Sequence, residues 1–295
     1  MIYPVVAELA RGGLGVTACC RVLGVSASGF YEWRGRKPSA RELADEQLTA
    51  AIAAIHQSSR GSYGSPRVHA ELRLGQGIRC GRKRIERLMR GAGLAGIYRR
   101  RHKGCTVGDP AASPHPDLVN RQFTADRPDR LWVTDVTQHR TGQGWLYCAV
   151  VLDVYSRRVV GWSIADHLRT ELVIDALDMA RWRRKPPAGS TVLHSDHGCQ
   201  YTSWAFGQRL RTAGLLGSMG SIGDCYDNSL MESFFGTLQL ELLDQKAWIT
   251  RQELASAIFE WIEAWYNPSR RHSALGYHSP VTYERMHQTP PTAAA

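Results

Sequence analysis

No stretch of this chain approaches the roughly twenty consecutive apolar residues that a membrane-spanning helix needs. The N-terminus, MIYPVVAELARGG, lacks a basic region followed by a longer apolar core, so neither a membrane span nor a signal peptide is expected, and a cytoplasmic protein is. Cysteine is sparse: Cys19, Cys20, Cys80, Cys105, Cys148, Cys199 and Cys225 are odd in number, irregularly spaced and without a CxxC pair. That argues against a disulfide framework and predicts small buried hydrophobes in a reducing compartment. His194, His197 and Cys199 are too compressed for an ordinary structural zinc site.

Acid is scarce where base is dense. Residues 51–103 carry thirteen Lys or Arg against only Glu71 and Glu86, whereas the rest of the chain is nearly balanced, for a total of +10. Such a block marks a phosphate-binding surface when a helical pattern accompanies it. What is plentiful is the material of a core: 43% hydrophobic residues and nine tryptophans in 295 residues, enough for two or three domains.

Residues 1–37 predict a helix-turn-helix, with Thr17 capping a short helix through Leu23, Gly24 at the turn and Ser26 capping a helix to about Arg34. Residues 38–100 hold a long helix and a second, basic module. In it Pro66 starts a helix through about Leu74, GQG turns, and GRKRIERLMRGAG turns Ile85, Leu88 and Met89 inward. Arg82, Lys83, Arg84, Arg87 and Arg90 are then available outside for DNA. Residues 101–125, with Pro110, Pro114 and Pro116, form a linker.

From about residue 126 the period changes. LWVTDVTQHR, GWLYCAVVLDVYSRR and VVGWSIADH read as an antiparallel meander, followed by a helix capped by Thr170 and then by alternating strands and helices. Residues 126–245 therefore predict an α/β mixed sheet flanked by helices, and 246–295 a helical extension with Trp261, Trp265 and Tyr266 in its core.

Three acids stand out. Asp135 lies in a β-prone run, Asp196 ends another, and Glu232 sits in a helix whose Leu230, Phe234, Leu238 and Leu242 recur at i, i+4. Two acids at strand ends and one on a helix can converge on a pair of Mg²⁺ ions, which clamp the attacking and leaving oxygens of a phosphodiester. Asp153 is a weaker candidate acid that an ion pair with Arg157 or Arg158 explains equally well. Ser195 and Tyr201 read as structural groups beside Asp196, and His194 as packing there.

WVTDVT, HSDHGCQYTS, GDCYDNSLMESFFGTL and NPSRRHSALGYHSPVTYE occur in order over nearly the whole chain. Together they resemble the second-reading-frame (OrfB-type) transposases of bacterial insertion sequences. The resemblance implies an RNase H-like, integrase-type core preceded by all-α helix-turn-helix modules, with Asp135, Asp196 and Glu232 as catalytic and metal-holding acids. It also implies two Mg²⁺ ions per site, with Mn²⁺ able to substitute, and cleavage and strand transfer at the terminal inverted repeats of double-stranded DNA and in target DNA. A homo-oligomer on paired ends and an upstream-frame (OrfA) protein or frameshift fusion are implied partners. The chain departs from the family pattern at His197 and Cys199, where Gln and Ser are common, and at Gln239, where Lys or Arg is usual. Asn228, Gln239, Arg270 and Arg271 are further expected DNA contacts. A nuclease without strand transfer and an inactive DNA-binding remnant are the competing readings.

Overall fold

In the computed structural model, residues 2–98, 123–196, 198–219 and 229–287 are described. They divide into two compact units, residues 1–53 and 54–295. The first holds α1 (Tyr3–Arg11), α2 (Val16–Val22), α3 (Ala27–Gly35) and most of α4 (Ala40–Ser58). Val6, Cys19, Cys20 and Phe30 form its core, so the two adjacent cysteines serve as small hydrophobes, as expected. Gly24 takes φ +67° at the turn and the Ser26 hydroxyl accepts from Gly29 N–H at 3.2 Å, also as expected. Thr17 does not cap: Gly15 holds the last extended conformation before α2, which leaves Thr17 inside the first turn. Ser39 and Glu42 form a reciprocal capping box at the start of α4.

The second unit takes the end of α4 and continues with α5 (Ser65–Leu74) and α6 (Arg82–Gly91), joined by a turn with Gly77 at φ +70°. Ile85, Leu88 and Met89 are buried on α6, while Arg82, Lys83, Arg87 and Arg90 are exposed and Arg84 is half-buried. The basic module thus shares a unit with the sheet, and most of the expected linker lies outside the described residues.

The sheet contains β1 (Leu131–Thr141), β2 (Gly144–Asp153), β3 (Val159–Ala165), β4 (Val192–Ser195) and β5 (Leu216–Met219) in the order β3-β2-β1-β4-β5. β1, β2 and β3 are the predicted antiparallel meander; β4 and β5 join in parallel. This is the mixed, helix-covered sheet of an RNase H-like core. Side chains alternate across it. Leu131, Val133, Val150 and Leu152 pack toward α9 (Ser229–Glu241) and α10 (Arg251–Glu260). Trp132, Ala149 and Val151 pack toward α7 (Thr170–Arg184) and α8 (Trp204–Ala213). Both faces are covered, which is why β2 reads as a continuous apolar run. Arg169, in extended conformation, stands at the N-cap of α7, so Thr170 is its first helical residue and not the expected cap.

A π-helical turn, Trp261–Tyr266, continues α10, and α11 (Pro280–His287) ends the described chain. Trp261 and Tyr266 are buried against Phe234 of α9, with ring centroids 5.9 and 5.0 Å away. The expected aromatic core of the C-terminal extension is therefore also the support on which α9 rests.

Where α7 crosses β3, the sheet has no room for a side chain. A Cβ on Gly161 would stand 2.1 Å from the Ala176 carbonyl and 2.8 Å from the Ala180 Cβ. Gly161→Ala is expected to cost about 1–3 kcal/mol through overpacking, read as a lower urea midpoint. An unchanged midpoint would show that α7 can lift off without cost.

Candidate active site

Parallel pairing of β1 with β4 runs Leu131 to Val192, Trp132 to Leu193 and Val133 to His194. Continued two residues, that register brings Asp135 level with Asp196, one in β1 and the other just past the end of β4. Asp135 shares the phase of Leu131 and Val133, which face α9. Glu232 lies in the first turn of α9, exposed beside the buried Leu230, Met231 and Phe234. An acid there also meets the favourable N-terminal end of the helix dipole.

The three charges feel one another. Burial pushes the Asp135 carboxyl up to about 7; repulsion from Asp196 and then Glu232 adds to the rise, while a hydrogen bond from Val136 N–H opposes it. That N–H donates to Asp135 Oδ1 at 2.7 Å. Asp196 is exposed, and its Oδ1 accepts from Gly198 N–H at 3.0 Å. A Cβ at Gly198 would sit 3.1 Å from that oxygen and 3.2 Å from Gln200 Oε1, so the loop closes tightly around the acid because residue 198 has no side chain. Below the acids Tyr201 is buried; its hydroxyl lies 3.3 Å from Thr134 Oγ1 and its ring meets Phe206 edge-on. Burial, then the charge of Asp135, holds the Tyr201 phenol well above its ordinary value. It is a neutral support, as the sequence reading has it. His194 is buried, with Nδ1 3.0 Å from Ser218 Oγ and its ring edge-on to Phe123.

Among the described residues no three His, Cys, Asp or Glu side chains stand close enough to hold one metal ion. The carboxylates are coupled without forming a closed ligand set. All three are oxygen donors of the kind Mg²⁺ prefers, and the upward shift of the Asp135 carboxyl marks a place where a cation would relieve the charge.

Other expected site residues are placed differently. Arg270 is not a surface DNA contact: it is 4% exposed, and its guanidinium donates to both oxygens of buried Glu241 at 2.7–3.1 Å. Arg271 is committed to Glu71 at 2.7 Å while its N–H donates to the Tyr63 hydroxyl. Both arginines tie the loop after the π-turn to neighbouring helices. The Gln239 amide donates to Asp244. Asp153 is fully buried and ion-paired with neither Arg157 nor Arg158: it accepts from Asp129 N–H, Ser156 N–H and the Ser156 hydroxyl. Arg158 instead joins Arg184 on Glu284. Asn228 and His197 lie outside the described residues. Sequence reasoning passed over Arg67, Tyr63 and Glu241, since nothing local distinguishes an acid that an arginine 29 residues away will neutralise.

Two family models described as integrase core domain match residues 125–225 and 214–280, and one described as HTH-like domain matches 42–102. The transposase for insertion sequence element IS629 of Shigella sonnei is 39% identical over 282 residues, 94% of each chain. Transposase InsF for insertion sequence IS3A of Escherichia coli (strain K12) is 37% identical, covering 91% of this chain and 93% of that one. The chain belongs to the IS3-family transposases. A putative transposase of IS986/IS6110 from Mycobacterium tuberculosis is also 37% identical, over 88% of this family member and 95% of its own length. A chain of the simian T-cell lymphotropic virus intasome aligns more loosely, with TM-score 0.47, 14% identity and 83% and 78% coverage.

Two outcomes follow for this IS3-family chain. Because the folded value of Asp135 lies above its unfolded one, the stability it contributes is complete below about pH 4 and lost as pH rises through about 7. In metal-free buffer the urea midpoint should fall more between about pH 5 and about pH 8 for the native chain than for Asp135→Asn; parallel falls would contradict the raised Asp135 carboxyl that burial and then charge crowding produce. Arg270→Met, which leaves Glu241 buried and charged, should cost about 3–5 kcal/mol in urea unfolding, whereas a surface arginine would cost almost nothing.

Proposed function

We propose that this protein cuts DNA at the ends of its own insertion sequence and joins the freed ends to new DNA, with Asp135, Asp196 and Glu232 as the catalytic acids. The observation that carries this is the approach of Asp135, which lies within β1 and not at its end, to Asp196 just past the end of β4, level across a parallel pairing, with a helix acid on the same side of the sheet and coupled to Asp135 by charge.

In the first step water attacks a phosphodiester and leaves a 3′-OH; in the second that 3′-OH attacks another phosphodiester, forming one P–O bond as another breaks. Both need the same arrangement, a crowded set of carboxylate oxygens facing a phosphate. Asp135, Asp196 and Glu232 would hold two Mg²⁺ ions, or Mn²⁺ in their place. Bound there, the ions would stabilise the charge on the attacking and leaving oxygens. The chain's own residues supply the rest. Val136 N–H orients Asp135, Gly198 N–H orients Asp196, and the aromatic stack beneath α9 keeps Glu232 over the sheet. Asp135 must release its proton before it can hold a cation, so metal binding should strengthen as pH rises toward about 7.

The exposed Arg82, Lys83, Arg87 and Arg90 on α6 would grip the phosphates of the inverted repeats. Two ends must meet, so the working form is at least a dimer on double-stranded DNA. An upstream-frame protein, or a fusion with it, is a further candidate partner.

The test places the DNA flanking the gene on a donor plasmid, adds the full chain with Mg²⁺, and scores joined ends by junction amplification. Junctions with the native chain and none with Asp196→Asn are expected. Junctions that persist in the variant would remove Asp196 from the chemistry. Cleaved but never joined ends, with or without the upstream-frame fusion, would make the protein a nuclease.

A further inference from the structure

Alongside α9, beginning one residue from Glu232, runs a groove that the catalytic reading does not use. Two adjoining cavities of about 130 and 160 Å³ share Arg67, Ser233, Thr237 and Arg270 as lining, and the first also takes in Arg157. Three guanidiniums therefore meet over one helix, with Glu241 the sole acid among the lining residues. Glu241 is taken by Arg270 at 2.7 Å and stands 3.8 Å from Arg67. Among the described residues the half-buried Arg157 guanidinium has no carboxylate or hydrogen-bond partner. Among the described residues one acid faces three guanidiniums in a partly desolvated recess, an arrangement that costs free energy unless an anion enters.

The surroundings register this field. Burial lowers the Arg67 pKa and repulsion from Arg270 lowers it further; burial lowers that of Arg157. His272, which lines the same recess, is held well below its ordinary value by burial and by Arg270, Arg67 and Arg157 in turn. The backbone also serves Arg157: it occupies φ +61° in the turn after β2, a left-handed conformation unusual for a non-glycine residue, held by its N–H donating to Asp153 O at 2.8 Å. Guanidiniums and hydroxyls around a small open recess are the donor set for a phosphate.

We propose that this groove seats a backbone phosphate of the DNA strand whose neighbouring phosphodiester lies at the acids. Arg157 and Arg67 supply the charge and Ser233 and Thr237 the hydroxyls, that of Thr237 turning to the phosphate from the Ser233 carbonyl to which it donates at 2.9 Å; Arg270, locked to Glu241, is a positioning residue that fixes the wall. The proposal rests on the DNA-joining reading above. It assigns to the α9 groove the end-gripping charge that Gln239 does not provide.

The test measures affinity of the full chain for a duplex of the element's end, by fluorescence anisotropy at several KCl concentrations, without divalent metal. Arg157→Gln should flatten the slope of log affinity against log salt by about 1, the loss of one phosphate contact. Arg157→Lys should restore the slope, and Arg211→Gln, an exposed arginine on α8, serves as the charge control. Thr237→Val retains every charge, so it should weaken binding about fivefold with the slope unchanged, which keeps the test open if Arg157→Gln unfolds. If Arg157→Gln and Thr237→Val both behave as Arg211→Gln does, the groove is not a DNA site and the proposal fails alone. If millimolar inorganic phosphate raises the melting temperature of the native chain and not of Arg157→Gln while the DNA slopes coincide, the recess holds free phosphate and the DNA assignment is overturned. A native chain that binds no duplex at any salt overturns this proposal and the transposase reading together.

Discussion

Three residue pairs of parallel pairing between β1 and β4 decide where the acids stand. Side chains in a strand alternate faces, so a one-residue slip would send Asp135 to the α7 side of the sheet and leave Asp196 facing a different neighbour. The pairing cannot slip cheaply. Trp132 and Leu193 are buried on one face and Leu131 and Val133 on the other, and a shifted register would exchange both sets at once. The apolar core thus acts as the ruler for the polar site.

Charge crowding is the second constraint. Three carboxylates on one side of the sheet oppose folding at neutral pH, and burial first, then repulsion from Asp196 and Glu232, raises the Asp135 carboxyl well above the usual carboxylate range. The rest of the molecule has to hold the acids together against that repulsion. α9 is pressed down by Trp261 and Tyr266 from the π-turn, and that turn is tied in by Asn267, whose side chain bonds both the N–H and the carbonyl of Val159 at 2.9 Å. The C-terminal extension is in this sense part of the site's scaffold.

Its ion pairs explain why charge alone misled. Arg270 and Arg271 sit in a basic loop that reads as a solvated, DNA-facing surface, yet both turn inward to acids on α9 and α5. Arg158 and Arg184 converge likewise on buried Glu284. Each pair joins residues from about 29 to 200 positions apart in the chain, a separation at which no periodicity or local pattern carries information. The converse error occurs at Arg157: an arginine beside an aspartate looks paired, but Asp153 is satisfied by two backbone N–H groups and the Ser156 hydroxyl, and among the described residues the guanidinium meets no acid.

By itself the sequence determined the helices and strands, the alternation that buries both faces of β1 and β2, the outward row of cations on α6 and the three acids within their motifs. All of these depend on periods of 2 or 3.6 residues or on short ordered strings, which are local properties. Tertiary structure alone decided which acids become neighbours, that the Asp135 carboxyl is raised above its ordinary range, that Arg270 and Arg271 are structural, and that Arg67, Arg157 and Arg270 meet along α9. Those outcomes depend on strand register and on burial, and burial sets both the strength of a charge's field and the cost of leaving it unpaired.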